Sequence, residues 1–300
     1  MKFNLVSDGA CDLLLEYTDA HDISVVPFYV TFDGETYLKE RVDVDHDSFY
    51  RKMVDEHAIP KSSLPAVSDY VDTFEKLLEN KLPIICICIT CKFSGSYNAA
   101  VTARDIILES NPEAKITVID STLNTVTQGL YVHEAVKLRD ADYEYEEAVK
   151  LLEDIKSSGR IIFTVGSLEY LVKNGRIGKL AVIAGDKLGI RPLIVMEDGE
   201  ISLGGITRSR KKSKAGVIKL TNEFFEKNKL NKDDYNFYIG TGFDYEEADE
   251  FQKELEEAVG IRCNDEIKAV VGATVGCHTG PYPLGVGFIK RALLKLWRFV

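Results

Sequence analysis

The feature that most constrains this chain is the regular exchange, through its first half, of short apolar runs with amphipathic helical patterns. Phe3–Val6 is followed by Leu13–Ala20, Ile23–Phe32 by Phe49–Val54 and Val67–Leu78, Ile84–Ile89 by Ala99–Leu108, and Ile116–Ile119 by Leu130–Leu138. Strand-like runs separated by helical periods predict βαβ units, because parallel strands need crossover connections that place helices on both faces of their sheet. Asp33-Gly34, between Tyr29–Phe32 and Thr36–Leu38, is a hairpin signal and predicts an antiparallel excursion at the border of that sheet. The expected class is α/β, a mostly parallel sheet domain with helices on both faces, joined by a second, α+β domain.

The second domain is expected because 300 residues exceed the usual size of one hydrophobic core. The acidic helix Tyr145–Ser157 ends at Ser158-Gly159, and apolar character resumes at Ile161–Val165. The predicted division therefore gives residues 1–158 the Ser62/Ser63 and Ser94 loops, and residues 159–300 the loops of Arg176, Arg208 and His278. Within the latter, Pro192–Glu197 and Glu200–Leu203 flank Asp198-Gly199 as a hairpin, followed by a basic helix from Lys211 and a strand at Tyr235–Gly240.

A formal charge of −11 argues against general nucleic-acid binding, which depends on neutralising phosphates. Six cysteines are few for this length, and Cys86 and Cys88 fall on one face of a predicted buried strand, where they read as small apolar side chains. The start lacks a long apolar leader and acidic residues interrupt the chain throughout, so stable membrane insertion is not expected and a cytoplasmic location is. Neither a Walker A loop, a GxGxxG turn after the first strand nor an HExxH helix is present, so no cofactor or metal is expected.

Three polar segments remain. Val275-Gly276-Cys277-His278-Thr279-Gly280-Pro281 sets an imidazole beside a hydroxyl on what reads as a glycine-hinged turn. Lys61-Ser62-Ser63-Leu64-Pro65 and Lys92-Phe93-Ser94-Gly95-Ser96-Tyr97 read as loop-to-helix junctions, whose hydroxyls and backbone amides suit an anion. Each has a bland alternative: a helix cap at Ser94 or Ser96, a serine turn at Ser62-Ser63, a structural histidine at His278. Ser94 and His278 also invite a Ser/His-dependent hydrolase or acyltransferase reading on a small acyl substrate, although Phe93-Ser94-Gly95 is no G-x-S-x-G elbow. The basic run Arg208–Lys214 is either a solvated helix face or, with Arg176, a docking patch for an acidic partner.

Read in order, Asp8-Gly9-Ala10-Cys11-Asp12-Leu13, Lys61–Ala66, Phe93–Tyr97, Asp120-Ser121, Tyr170–Ile177, Ile190–Leu193 and His278–Pro281 resemble the DegV family nearly end to end. The resemblance implies a two-domain α/β protein that binds a long-chain fatty acid and is not itself an enzyme; some members present the carboxylate to a separate fatty acid kinase. It further implies that Ser62, Ser63, Ser94, Gly95, His278 and Thr279 hold the carboxylate, with Arg176 and Arg208 near the pocket mouth for docking the kinase. Gly9, Leu64, Asn174, Cys277 and Tyr282-Pro283 depart from the family pattern, which bears on pocket shape and chain preference. Ile87, Phe93, Phe163, Leu168 and Ile194 are candidates to line a tunnel for the tail.

Overall fold

The computed structural model of the chain describes residues 1–183 and 189–293. Along the first half run β1 (Asn4–Asp8), α1 (Leu15–Ala20), β2 (Ile23–Val26), β3 (Tyr29–Thr31), β4 (Leu38–Lys39), α2 (His46–Asp55) and β5 (Lys61–Ser63). They are followed by α3 (Val67–Leu78), β6 (Ile84–Cys88), α4 (Ser96–Ser110), β7 (Ile116–Asp120), α5 (Thr125–Asp140) and α6 (Tyr145–Lys156). The remainder comprises β8 (Arg160–Thr164), α7 (Glu169–Lys173), β9 (Arg191–Glu197), β10 (Glu200–Thr207) and α8 (Arg210–Asn228). It closes with β11 (Tyr235–Thr241), α9 (Tyr245–Val259), α10 (Ala273–Thr279) and β12 (Leu284–Lys290).

The alternating runs form the four-stranded sheet β2-β1-β6-β7, parallel throughout. The side-chain period of a strand decides which helix each residue meets. Ile84, Cys86 and Cys88 of β6 pack with Tyr70 and Phe74 of α3 and Ala103 and Ile107 of α4. Ile85 and Ile87 face the opposite way, toward Leu130 and Tyr131 of α5 and Leu152 of α6. Ile87, expected at a ligand tunnel, is thus committed to this core, where burying one such side chain contributes about 1.5–3 kcal/mol. Asp33-Gly34 does close a hairpin: β3 pairs antiparallel with β4 and, on its other edge, with β5.

The second assembly is the antiparallel sheet β10-β9-β8-β12-β11. Asp198 and Gly199 both take positive φ, 49° and 79°, the mirror-image turn that matches the twist of the β9–β10 hairpin. Strand β12 is hidden in the sequence because Gly285 and Gly287 interrupt its apolar alternation, yet it lies between β8 and β11. Those glycines let backbone and helix approach closely. A Cβ on Gly287 would overlap the Thr127 hydroxyl of α5, and one on Gly285 would overlap the Ile162 carbonyl and Phe163 of β8.

Helix α5 lies between the two sheets and is buried nearly all round. That leaves little amphipathic signal, which is why the periodicity starts it late, at Leu130. Several of its buried polar groups find partners: Gln128 Nε2 donates to Asp8 Oδ1 at 2.8 Å, His133 Nδ1 pairs with the Tyr17 hydroxyl at 2.6 Å, and Arg139 donates to the His21 carbonyl at 2.7 Å, while Gln128 Oε1 and the Tyr131 hydroxyl are buried without one. No helix among the described residues is long and apolar enough to cross a membrane.

Candidate functional site

One cavity of about 210 Å³ opens where the carboxyl end of β6, the strand β5, helix α10 and the start of α5 meet the antiparallel sheet. Ligands of open α/β folds collect at the carboxyl ends of the strands. Ser62, Ser63, Ser94, Gly95, His278 and Thr279 all line it, as does Arg176. Four separate stretches of sequence are thereby gathered at one polar wall.

Two of the local readings change. Ser62 and Ser63 lie on β5 rather than in a turn, held in register opposite Val30 and Tyr29. His278 lies in the last turn of the short helix α10, not on a hinged turn; the hinge follows it, at Gly280 with φ 75°. Reading a helix there would have drawn in Thr274, four residues before His278 on the same face and also in the cavity wall.

His278 Nε2 and Ser62 Oγ are 3.0 Å apart, whereas the Nδ1 atom is buried without a hydrogen-bond partner. Burial, with the Arg176 guanidinium adding to it, depresses the imidazole to about 4, so it is neutral at neutral pH. Ser94 Oγ accepts the Ser96 N–H at 3.2 Å, and Gly95 stands at the N-cap of α4. Ser96 itself is structural: fully buried, it donates to Asp8 Oδ2 at 2.6 Å and meets the Tyr70 hydroxyl at 2.7 Å.

Asp8, the first residue of the first family motif and the last of β1, is an anchor whose structural role the sequence does not give. Its Oδ2 also accepts the Ile89 N–H at 2.9 Å, so one carboxylate fixes both ends of the Thr90–Gly95 loop. Burial raises Asp8 from 3.8 to about 6. A carboxyl raised in the folded state stabilises the fold fully below its unfolded value and loses that contribution as pH rises through the folded one. Between pH 7 and pH 4 the unfolding free energy of the wild-type chain should therefore gain on that of Asp8→Asn by up to about 3 kcal/mol, as read by urea denaturation at successive pH values. A difference that stays constant over that range would contradict the raised carboxyl.

Helix α10 is held at both ends. The Glu40 carboxylate accepts the Thr274 N–H at 2.9 Å and the Thr274 hydroxyl at 2.6 Å. Asp12 lies beside it: a Cβ on Gly272 would sit 2.6 Å from Asp12 Oδ1 and 2.7 Å from Glu40 Oε1. Burial raises both carboxyls, and the Glu40 charge raises Asp12 further. At the other end, Asn174 Nδ2 donates to the Cys277 carbonyl at 2.7 Å and to the Pro60 carbonyl at 3.3 Å. The asparagine that departs from the family pattern thus ties the α7 turn to α10 and the lead into β5.

Arg176 follows that tie. Its Nε and Nη2 both donate to the Phe93 carbonyl, each at 3.2 Å, bridging the α7 turn to the Ser94 loop. Arg176 and Leu64 are the exposed residues of the cavity wall, so the mouth lies between them. Arg208 is not brought here; it is exposed at the bend before α8 and does not line the cavity. Its neighbour Arg210 is taken up by Glu247, with Nε donating to Oε1 at 2.9 Å.

Away from the polar wall the lining is apolar: Phe28, Ile89, Phe93, Val126, Ile161, Phe163, Leu171, Met196, Ile201, Val271 and Leu284. Of the tunnel candidates, Phe93 and Phe163 take part, while Leu168 and Ile194 pack in the neighbouring core around Val165 and Leu171. Among the described residues no group of three or more His, Cys, Asp or Glu side chains could hold a metal ion.

Comparison with known proteins gives consistent results. The profile of the DegV family, described as uncharacterised proteins, matches residues 2–291. A DegV domain-containing protein of Caldanaerobacter subterraneus is 30% identical over 301 residues, covering 97% of this chain and 99% of its own. A crystal structure described as a stearic acid-binding protein from Eubacterium ventriosum superposes with a TM-score of 0.93 at 44% identity, covering 97% of this chain and 99% of that one. A Thermus thermophilus DegV family protein, described by its fatty acid binding, shares the fold with a TM-score of 0.85 at 23% identity, covering 97% of this chain and 100% of that one. The chain belongs to the DegV family.

Proposed function

We propose that this protein binds a long-chain fatty acid, with the carboxylate at Ser62, Ser63, Ser94, Gly95, His278 and Thr279 and the tail along the apolar wall. The observation that carries this reading is the single cavity that joins all six of those residues to an apolar lining. Each buried methylene contributes about 0.8 kcal/mol, so a sixteen-carbon tail supplies roughly 10 kcal/mol before ordering costs are subtracted. The carboxylate must leave water, and hydroxyls, an amide and an imidazole offset its lost hydration. The stearic acid-binding relative at 44% identity supports the same ligand class.

Presentation of the bound acid to a separate fatty acid kinase is the finer part of the proposal. Arg176, exposed at the mouth, is the better placed of the two docking candidates, and Arg208 would act only as part of a wider basic surface. The hydrolase alternative is the weaker reading. A Ser-His nucleophile needs the second ring nitrogen held by an orienting group, but His278 Nδ1 has no partner, and His278 is paired with Ser62 instead of Ser94.

Mass spectrometry of a solvent extract of the denatured protein, quantified per chain against a control that binds no lipid, tests the binding reading. Near-stoichiometric fatty acid is the expected result. An extract free of lipid, followed by failure to load palmitic, stearic or oleic acid, together with labelling of Ser94 by an acyl-serine probe, would replace the binding protein with the enzyme.

A further inference from the structure

Asn124 stands in the cavity wall with Thr125 and Val126, on a segment separate from the proposed head-group cluster. It is the N-cap of α5, a position where asparagine ordinarily accepts a hydrogen bond from the first turn of the helix. Here it makes no such cap. Its Oδ1 is buried without a protein partner, and neither end of the amide bonds to Ser62, Ser94 or His278. The backbone just beyond is forced: Thr125 takes φ 44° while its hydroxyl donates to Asp12 Oδ2 at 2.6 Å. Thr125 is thereby occupied, and Asn124 shares the cavity wall with the apolar Ile89, Val126 and Val271.

A buried amide oxygen with no hydrogen bond is costly, and such atoms in a native fold call for an explanation. For a plain hydrocarbon tail Asn124 would be a poor lining residue, since an aliphatic side chain fills the same space without a polar group. An amide that presents both a donor and an acceptor is well suited to a hydroxyl, which offers both in return. We infer that Asn124 is a second polar contact for the ligand and that the cavity selects fatty acids carrying a hydroxyl or oxo oxygen along the chain. This inference rests on the fatty acid reading above and specifies its substrate class.

The test is displacement of a fluorescent fatty acid from delipidated protein by stearic acid and by hydroxystearic acids with the hydroxyl at positions spanning the chain. At least one positional isomer should bind the wild-type protein about tenfold more tightly than stearic acid, the gain from one well-made hydrogen bond to a group otherwise left unpaired. Asn124→Leu should abolish that preference and keep stearic acid affinity, while His278→Ala weakens both ligands. If wild-type protein binds stearic acid and prefers no isomer, the second contact is wrong and the fatty acid reading stands. If it binds none of these acids, that reading fails and this one with it. Loss of stearic acid by a folded Asn124→Leu protein would make Asn124 a head-group ligand and overturn the inference. Should Asn124→Leu fail to fold, Asn124→Ser, too short to span the gap, must show the same loss of preference.

Discussion

Ser62→Ala combined with His278→Ala is expected to weaken binding of a long-chain fatty acid by about 100-fold or more, with the melting temperature of the unliganded protein little changed. Each residue removed takes away one hydrogen bond to a buried carboxylate, about 1.5–3 kcal/mol for a charged acceptor. The two are mutually hydrogen-bonded at 3.0 Å, so their effects should not add. Either single variant should already cost most of the affinity, because the survivor loses its orientation as well as its neighbour. Stability should be spared, since the double variant removes both partners of the Ser62–His278 bond and leaves neither polar group buried alone. Titration with a fluorescent fatty acid checks the binding, and a thermal melt checks the fold. Full affinity in a folded double variant would move the head group elsewhere in the cavity.

The largest expected effect on the fold is at Gly287. Valine there should lower stability by about 3 kcal/mol or more, enough to leave much of the protein unfolded or aggregated at growth temperature. A Cβ at this position overlaps the Thr127 hydroxyl and stands 3.1 Å from Val126 Cγ2. Both neighbours belong to α5, which is wedged between two sheets and has no solvent side into which to retreat. Gly287→Ala should be milder in the same direction, giving a graded series in thermal unfolding. An unchanged melt in both variants would show that α5 can yield.

The contrast between these positions shows what the sequence could tell. The parallel sheet was legible because its strands are apolar runs that alternate with helical patterns; α3 begins and ends where its pattern does, at Val67 and Leu78. Helix α9 was not read, although it carries its own start and stop chemistry, with Asp244 Oδ1 accepting the Glu247 N–H at 2.9 Å and Gly260 left-handed beyond its end. Strand β12 and the first turn of α5 were not legible. One is built on glycines chosen for close approach, and the other is buried on every side. The polar wall could be assembled from short motifs in family order because hydroxyls, glycine and histidine are conspicuous. The tail wall could not, since a residue facing a cavity and one facing a core share the same apolar pattern, as Phe163 and Ile194 do.

The Arg176 bridge has a kinetic meaning. Arg176 spans the mouth to the Phe93 carbonyl, and Asn174, two residues earlier, anchors the same turn to α10. On the fatty acid reading the methylenes of the tail would set how tightly a ligand is held at equilibrium, whereas these bonds join protein to protein and touch no methylene. If a ligand enters between Arg176 and Leu64, these bonds open for exchange and re-form afterwards, which raises the barrier for entry and exit alike. Residence time and affinity would then be under the control of different residues, and a partner that drew the Arg176 side chain away from Phe93 would speed delivery of a bound acid without weakening its storage.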